Sequence, residues 1–170
     1  MGQEKILNLF FENPRQEFHI RGIAKSLKLS KTAVSYHIDK FIKQKLVMKE
    51  KKGIFPSYMA NQSDDTFRLY KQQYAVKKIV ESGLISYLEK ELSPNCIILF
   101  GSFAKAEYES KSDIDIFLQA EEHPLNLTKY EKMLAHKINL FFEPNPEKLS
   151  PQLLNNIING VKLGGFLKIK

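Results

Sequence analysis

Two stretches carry the fold: Cys96-Ile97-Ile98-Leu99-Phe100-Gly101-Ser102 and, after ten intervening residues, Asp113-Ile114-Asp115-Ile116-Phe117-Leu118. The first follows Pro94 as a short, uniformly apolar run, the pattern of a buried strand. It passes straight into Gly101, where the backbone can approach a ligand closely. Ser102 follows, opening a helix and offering a hydroxyl and free amides to phosphate oxygens. The second stretch alternates, and Ser112–Leu118 is expected to be a strand. A period of two sets Asp113 and Asp115 on one face and Ile114 and Ile116 on the other. Two carboxylates on one face repel each other unless a cation lies between them, and they can hold one or two Mg2+ ions against the phosphates of a nucleotide. The plain alternative is a surface turn followed by a polar strand edge.

This arrangement resembles the nucleotidyltransferase superfamily of DNA polymerase beta, in particular its minimal members. Their motif is an apolar strand, Gly-Ser, some ten residues, then Asp-x-Asp on the next strand. Leu99-Phe100-Gly101-Ser102 and Ser112-Asp113-Ile114-Asp115 match it, and the likeness extends over about residues 78–165. The resemblance implies that Gly101 and Ser102, with Lys105 nearby, hold a nucleoside triphosphate, ATP being the first expectation, and that Asp113 and Asp115 bind Mg2+. It implies a small mixed-sheet α/β domain. The chain departs from the family at two places. Ala106 stands where the family usually has Gly, which predicts a modest change of backbone. The segment Ile138-Asn139-Leu140-Phe141 places Asn139 where a third carboxylate, the general base, is expected. An amide can hydrogen-bond a metal-bound water or a hydroxyl but cannot take a proton at neutral pH. Glu143 shares the strand face but lies ~13 Å along it, too far to substitute easily. Transfer is therefore in doubt, while metal and nucleotide binding are not.

Working outward, the charge is uneven. The chain of 170 residues carries a formal charge of +7; its first 60 residues hold 12 Lys+Arg against five acids, and the rest is neutral. Such asymmetry fits two modules, the first meeting a polyanion, or else a solvated basic face. Ile6, Leu7, Leu9 and Phe10 recur at helical spacing up to Asn13-Pro14. Ile20, Ile23, Ala24 and Leu27 form a second short apolar face. Ser30 then sits as the N-cap of a third helix whose Val34, Ile38, Phe41 and Ile42 fall on the core side. Leu46–Glu50 and Ile54–Ala60 read as two strands around the turn Lys51-Lys52-Gly53.

Three helices and a basic-tipped hairpin, over about residues 3–60, resemble a winged helix-turn-helix domain. The resemblance implies that the third helix enters the major groove of double-stranded DNA, with Thr32, Ser35 and Tyr36 toward base edges. Lys31, Lys40, Lys43, Lys49, Lys51 and Lys52 would then meet phosphates, as in a transcription regulator. The same fold can also serve as a protein-docking module.

Residues 66–92 read as helical, bent at Ser82-Gly83. They form either a linker packed on both modules or, the reading preferred here, the seam of a homodimer. The leading expectation is an α+β chain: a winged helix over 1–62, a helical connector over 63–92 and a minimal nucleotidyltransferase-like domain over 93–170. The nucleotidyltransferase resemblance implies nucleotidyl transfer to a hydroxyl, and the family's minimal members suggest a partner protein as one acceptor. The alternative is a regulator that binds nucleotide without turnover. The lone Cys96 fits a reducing, cytoplasmic setting, and no apolar run approaches the ~18 residues of a membrane span. Glu4 and Asn8 argue against a secretory signal. His37 is expected to be half-buried, and His19, His123 and His136 to lie at the surface. Gly164-Gly165 reads as a turn ahead of a terminal strand.

Overall fold

The structure, a computed structural model, describes residues 2–50 and 53–169. The chain forms two compact units, residues 1–71 and 72–170. Among the described residues no helix is long and apolar enough to cross a membrane.

The first unit holds α1 (Gly2–Glu12), α2 (Ile20–Leu27), α3 (Lys31–Lys43), β1 (Val47–Glu50) and β2 (Ser57–Ala60). α3 begins where its cap predicts: the Ser30 hydroxyl accepts from the Ala33 N–H at 3.1 Å. A helix of this length is marginal alone in water, so packing must hold it. Val34, Ile38 and Phe41 are buried with Ile6, Phe10 and Ile23, while Ile42 is only half-buried. β1 and β2 pair antiparallel with Glu50 opposite Ser57. The second strand therefore starts at Ser57 and not at Ile54. Pro56 brings no N–H to the ladder, and Ile54 and Phe55 stand exposed in the connection. Phe18 adds a bridge that its sequence did not announce, exchanging two 2.8 Å main-chain bonds with Tyr58.

The division between the units falls inside α4 (Asp65–Glu81). α4 ends at the expected Ser82-Gly83 break: Gly83 has φ +80°, and the Ser82 hydroxyl accepts from the Leu84 N–H, which starts α5 (Leu84–Leu92). The second unit continues with β3 (Cys96–Phe100), α6 (Gly101–Ala104), β4 (Ile114–Leu118), α7 (Thr128–Leu134), β5 (Ile138–Phe142), a 3-10 turn over Pro146–Lys148, α8 (Pro151–Ile158) and β6 (Val161–Gly165).

The sheet order is β5-β4-β3-β6. β3 runs antiparallel to β4 and β6, and β4 runs parallel to β5, so the sheet is mixed as expected. β3 is buried at every position, as its uniform apolar run requires. On the face that carries Phe100, its residues Cys96 and Ile98 cluster with Phe117 and with Ile157 of α8. Burial pushes the Cys96 thiol above its usual range, which makes it a packing residue and not a nucleophile.

Two expectations give way. Gly164-Gly165 is no turn before a strand but the end of β6, paired with Ile97 and Cys96. Gly165 has φ +62°, and a side chain there would strike the Asn95 carbonyl, so glycine is what lets β6 close against β3. β4 begins at Ile114 and not at Ser112, because the main chain of Ser112 is engaged elsewhere. Its N–H donates to the Glu109 carbonyl at 2.9 Å, and its carbonyl accepts from His136.

Candidate functional site

The site is assembled at the C-terminal end of β3. Gly101 has φ +68°, a left-handed conformation that costs a residue with a Cβ about 1–2 kcal/mol. A Cβ built on it would stand 2.5 Å from Asp115 Oδ2. Gly101 is therefore required twice, for its turn and for the carboxylate lying against it. The short α6 follows, with Ser102 half-buried near its start and Lys105 exposed as its C-cap. The Gln72 side chain donates to the Ala104 carbonyl and fixes the far end of α6. Ala106, which stands where the family usually has Gly, closes the loop after α6 in a left-handed conformation. Its φ is +58°, so this left-handed turn carries a methyl group.

Asp115 lies on β4 opposite Phe100 on one side and opposite Asn139 of β5 on the other. Residues directly opposite in neighbouring strands share a face, so Asp115 and Asn139 project together. The Asn139 amide donates from Nδ2 to Asp115 Oδ1 at 3.1 Å and, at a longer 3.4 Å, to Asp113 Oδ2. The two aspartates thus do share a face, although Asp113 precedes the strand. Asn139, on an element far away in sequence, sits between them as a bridging donor. The Glu143 carboxylate lies beyond the end of β5 and accepts from the Asn145 N–H at 2.9 Å in its own turn.

Three supporting residues carried no sequence signal that marked them. One is Gln72. Another is His136, expected at the surface but buried, with its ring edge-on to the stacked Phe103 and Tyr108. Its Nδ1 lies 2.7 Å from the Ser112 carbonyl; a carbonyl only accepts, so Nδ1 is the donor. The bond holds the residue that precedes Asp113. The third is Glu131 of α7, which accepts from the Ile138 N–H at 3.2 Å and from Lys137 at 3.1 Å and so anchors the start of β5. The Ile138 N–H, and then Lys137, hold its carboxyl below the usual carboxylate range.

Among the described residues no group of three His, Cys, Asp or Glu side chains converges as a metal site. The donors present still suit one hard cation: two aspartate carboxylates and the carbonyl oxygen of a turned Asn139 amide. The two N/O orientations of that amide are isosteric, so it can present either group.

In the first unit, Lys31, Thr32, Tyr36, Lys40, Lys43 and Lys49 are exposed and Ser35 is half-buried. Tyr36 and the neighbouring Lys40 lie on the solvent side of α3, and the Lys40 ammonium donates to Gln3 Oε1 at 3.4 Å. Lys51 and Lys52 lie outside the described residues. An apolar groove of about 900 Å³, between α1, α2 and the segment before β2, is lined by Phe18, Ile20, Ile23 and Phe55. The Arg21 guanidinium lies 5.3 Å over the Phe55 ring at its rim.

No curated protein matches the chain. Residues 82–162 match the family model described as "Polymerase beta, Nucleotidyltransferase". That span runs from the break before α5 into β6 and encloses Gly101, Ser102, Asp113, Asp115 and Asn139. This part of the chain is therefore similar to the nucleotidyltransferase domain of the polymerase beta family.

Proposed function

We propose that the second unit binds a nucleoside triphosphate with Mg2+, ATP being the first candidate, and transfers its nucleotidyl group to a hydroxyl. The observation that carries this reading is the placing of Gly101 directly against Asp115, with Asp113 and Asp115 joined through Asn139. Gly101 and Ser102 would take the β- and γ-phosphates, the hydroxyl of Ser102 and the free amides of the α6 start donating to their oxygens. Asp113 and Asp115, with the carbonyl of a turned Asn139 amide, would hold one Mg2+. When bound, Mg2+ neutralises phosphate charge and stabilises the charge that develops on the leaving group.

Asn139 orients but cannot take a proton, so the acceptor hydroxyl must lose its proton to water. That favours slow transfer, and it is also the specific observation behind a second reading, in which nucleotide is bound as a signal without turnover. Calorimetry with ATP and Mg2+ is expected to give binding heat with the wild-type chain and none with Asp113→Ala. Transfer of α-label from ATP, with cell extract as acceptor, then separates the two readings: labelled product supports transfer, and binding without label supports the sensor.

The first unit is proposed to bind double-stranded DNA through α3, with Thr32, Ser35 and Tyr36 toward the bases and the exposed lysines on phosphates. Its support is the solvent exposure of Thr32, Tyr36 and Lys31, Lys40 and Lys43 beside a core-facing row of Val34, Ile38 and Phe41. Fluorescence anisotropy on duplex DNA is expected to show affinity falling steeply as salt rises, with a shallower slope for Lys40→Ala/Lys43→Ala. Weak binding that does not respond to salt would sink the idea and leave protein docking as the role of this unit. Homodimerisation and a cytoplasmic setting belong to the same proposal.

A further inference from the structure

We propose that the acceptor is an extended polypeptide segment that pairs with the free edge of β5 as an added strand and sets a hydroxyl side chain beside Asn139. The inference rests on the transfer reading above and names its acceptor.

The hydrogen-bond pattern shows which way β5 points. The Lys137 carbonyl accepts from the Ile114 N–H at 2.8 Å, and the Glu143 N–H donates to the Leu118 carbonyl at 3.2 Å. In a parallel pair the residues that bond the neighbour alternate. Residues 137, 139, 141 and 143 therefore turn their main-chain groups toward β4, and 138, 140 and 142 turn theirs to the opposite edge. The Ile138 N–H is taken by Glu131, as that geometry requires. Beyond it β5 is the terminal strand of the sheet, and no outward hydrogen bond from Leu140 or Phe142 occurs among the described residues.

Such an edge matches the main chain of another strand, which offers N–H and C=O groups at the same repeat. Natural edges are normally blunted by Lys or Pro, yet Ile138-Asn139-Leu140-Phe141-Phe142 contains neither. It also offers no cation to the phosphates of a nucleic-acid acceptor, and the Lys137 beside it is paired with Glu131.

The reaction geometry selects the same side. With the leaving pyrophosphate at Gly101-Ser102, beyond β3, an in-line attack must come across Asp115 from the β5 side. The acceptor oxygen bonds the α-phosphorus while the bond to the bridging oxygen breaks. Pyrophosphate leaves with that electron pair, and the hydroxyl proton passes to water. A residue opposite Asn139 in an added strand would project on the face of Asp115. Phe141, 39% exposed on that face and edge-on to Phe100 at 5.1 Å, would pack against its neighbour.

The test uses the full chain with Mg2+, α-labelled ATP and a millimolar synthetic peptide of alternating Thr and Val around one central Tyr or Ser. Its control is the same peptide N-methylated at alternate residues, which keeps the side chains but cannot pair. The unmethylated peptide is expected to slow amide exchange at Leu140 and Phe142 and to become labelled; the methylated one does neither. Leu140→Pro, which removes an outward N–H and no bond to β4, is expected to cut labelling at least about tenfold with ATP affinity unchanged. Leu140→Val is expected to label normally. Should Leu140→Pro fail to fold, the methylated peptide still decides. Equal labelling of both peptides, or labelling of an oligonucleotide end with no protection of these amides, overturns the proposal. Protection that instead grows with protein concentration alone, together with a dimer by light scattering, assigns the edge to a second copy and overturns it too. Protection by the peptide with no label on any acceptor upholds the docking and defeats the transfer reading.

Discussion

Asn139→Asp is expected to raise nucleotidyl transfer by about 10²-fold or more, the range a positioned general base supplies. The reason lies in where the side chain already stands. Its Nδ2 is 3.1 Å from Asp115 Oδ1 and 3.4 Å from Asp113 Oδ2, on the side from which the proposed acceptor would arrive. A carboxylate of the same size would take the acceptor's proton and would share a second cation with Asp115. Two readouts check this separately. Label transfer measures the rate. Electron paramagnetic resonance with Mn2+ and a non-hydrolysable ATP analogue counts cations, with one per chain expected for the wild type and two for the variant. The substitution also exchanges two hydrogen bonds for like-charge repulsion. The metal-free variant should therefore melt below the wild type and recover when Mn2+ is added. A second cation without any gain in transfer would show that the missing base is not what limits the site, and would favour the nucleotide sensor.

Gly101→Ala is expected to weaken Mg-ATP binding at least about tenfold, equivalent to about 1.4 kcal/mol, in a protein that still folds. The left-handed turn costs alanine about 1–2 kcal/mol, a modest fraction of the ~5–15 kcal/mol that holds a typical domain together. Binding suffers more than folding because the added methyl would lie 2.5 Å from the Asp115 carboxylate, which must move away from Asp113 and Asn139. Calorimetry with ATP and Mg2+ measures the first effect and a thermal melt the second. Ala106 offers an internal comparison, since it occupies a left-handed turn at φ +58° in the same loop without disrupting it. Unchanged affinity in Gly101→Ala would mean that the nucleotide does not use this end of β3.

Much of the fold is legible in the sequence. A strand of five apolar residues, the Gly-Ser that ends it and the Asp-x-Asp ten residues later are local patterns, and backbone geometry alone dictates their elements. The Ser30 cap and the Ser82-Gly83 break are legible for the same reason, because each acts on main-chain groups within a few residues of itself. Where reading fails, a distant partner had intervened. Ile54 and Phe55 look like strand residues, but the pairing of Glu50 with Ser57 leaves them outside the ladder. Ser112 looks like the first residue of a strand, but a turn and His136 claim its main chain. Gly164-Gly165 looks like a turn, but the pair continues β6 along β3, with Gly165 lying against the Asn95 carbonyl where a side chain would strike.

The capped third helix, the break at Ser82-Gly83, the apolar strand before Gly101, the Asp-x-Asp pair and the basic charge of the first 60 residues are properties of neighbours along the chain, and the sequence alone carries them. Packing of distant segments is what brings Asn139 to both aspartates, lays Gly101 against Asp115 and leaves β5 at the end of the sheet with an open edge. Each of these depends on strand order and register. Register is set by how whole faces bury against one another, and no short stretch of residues contains that information.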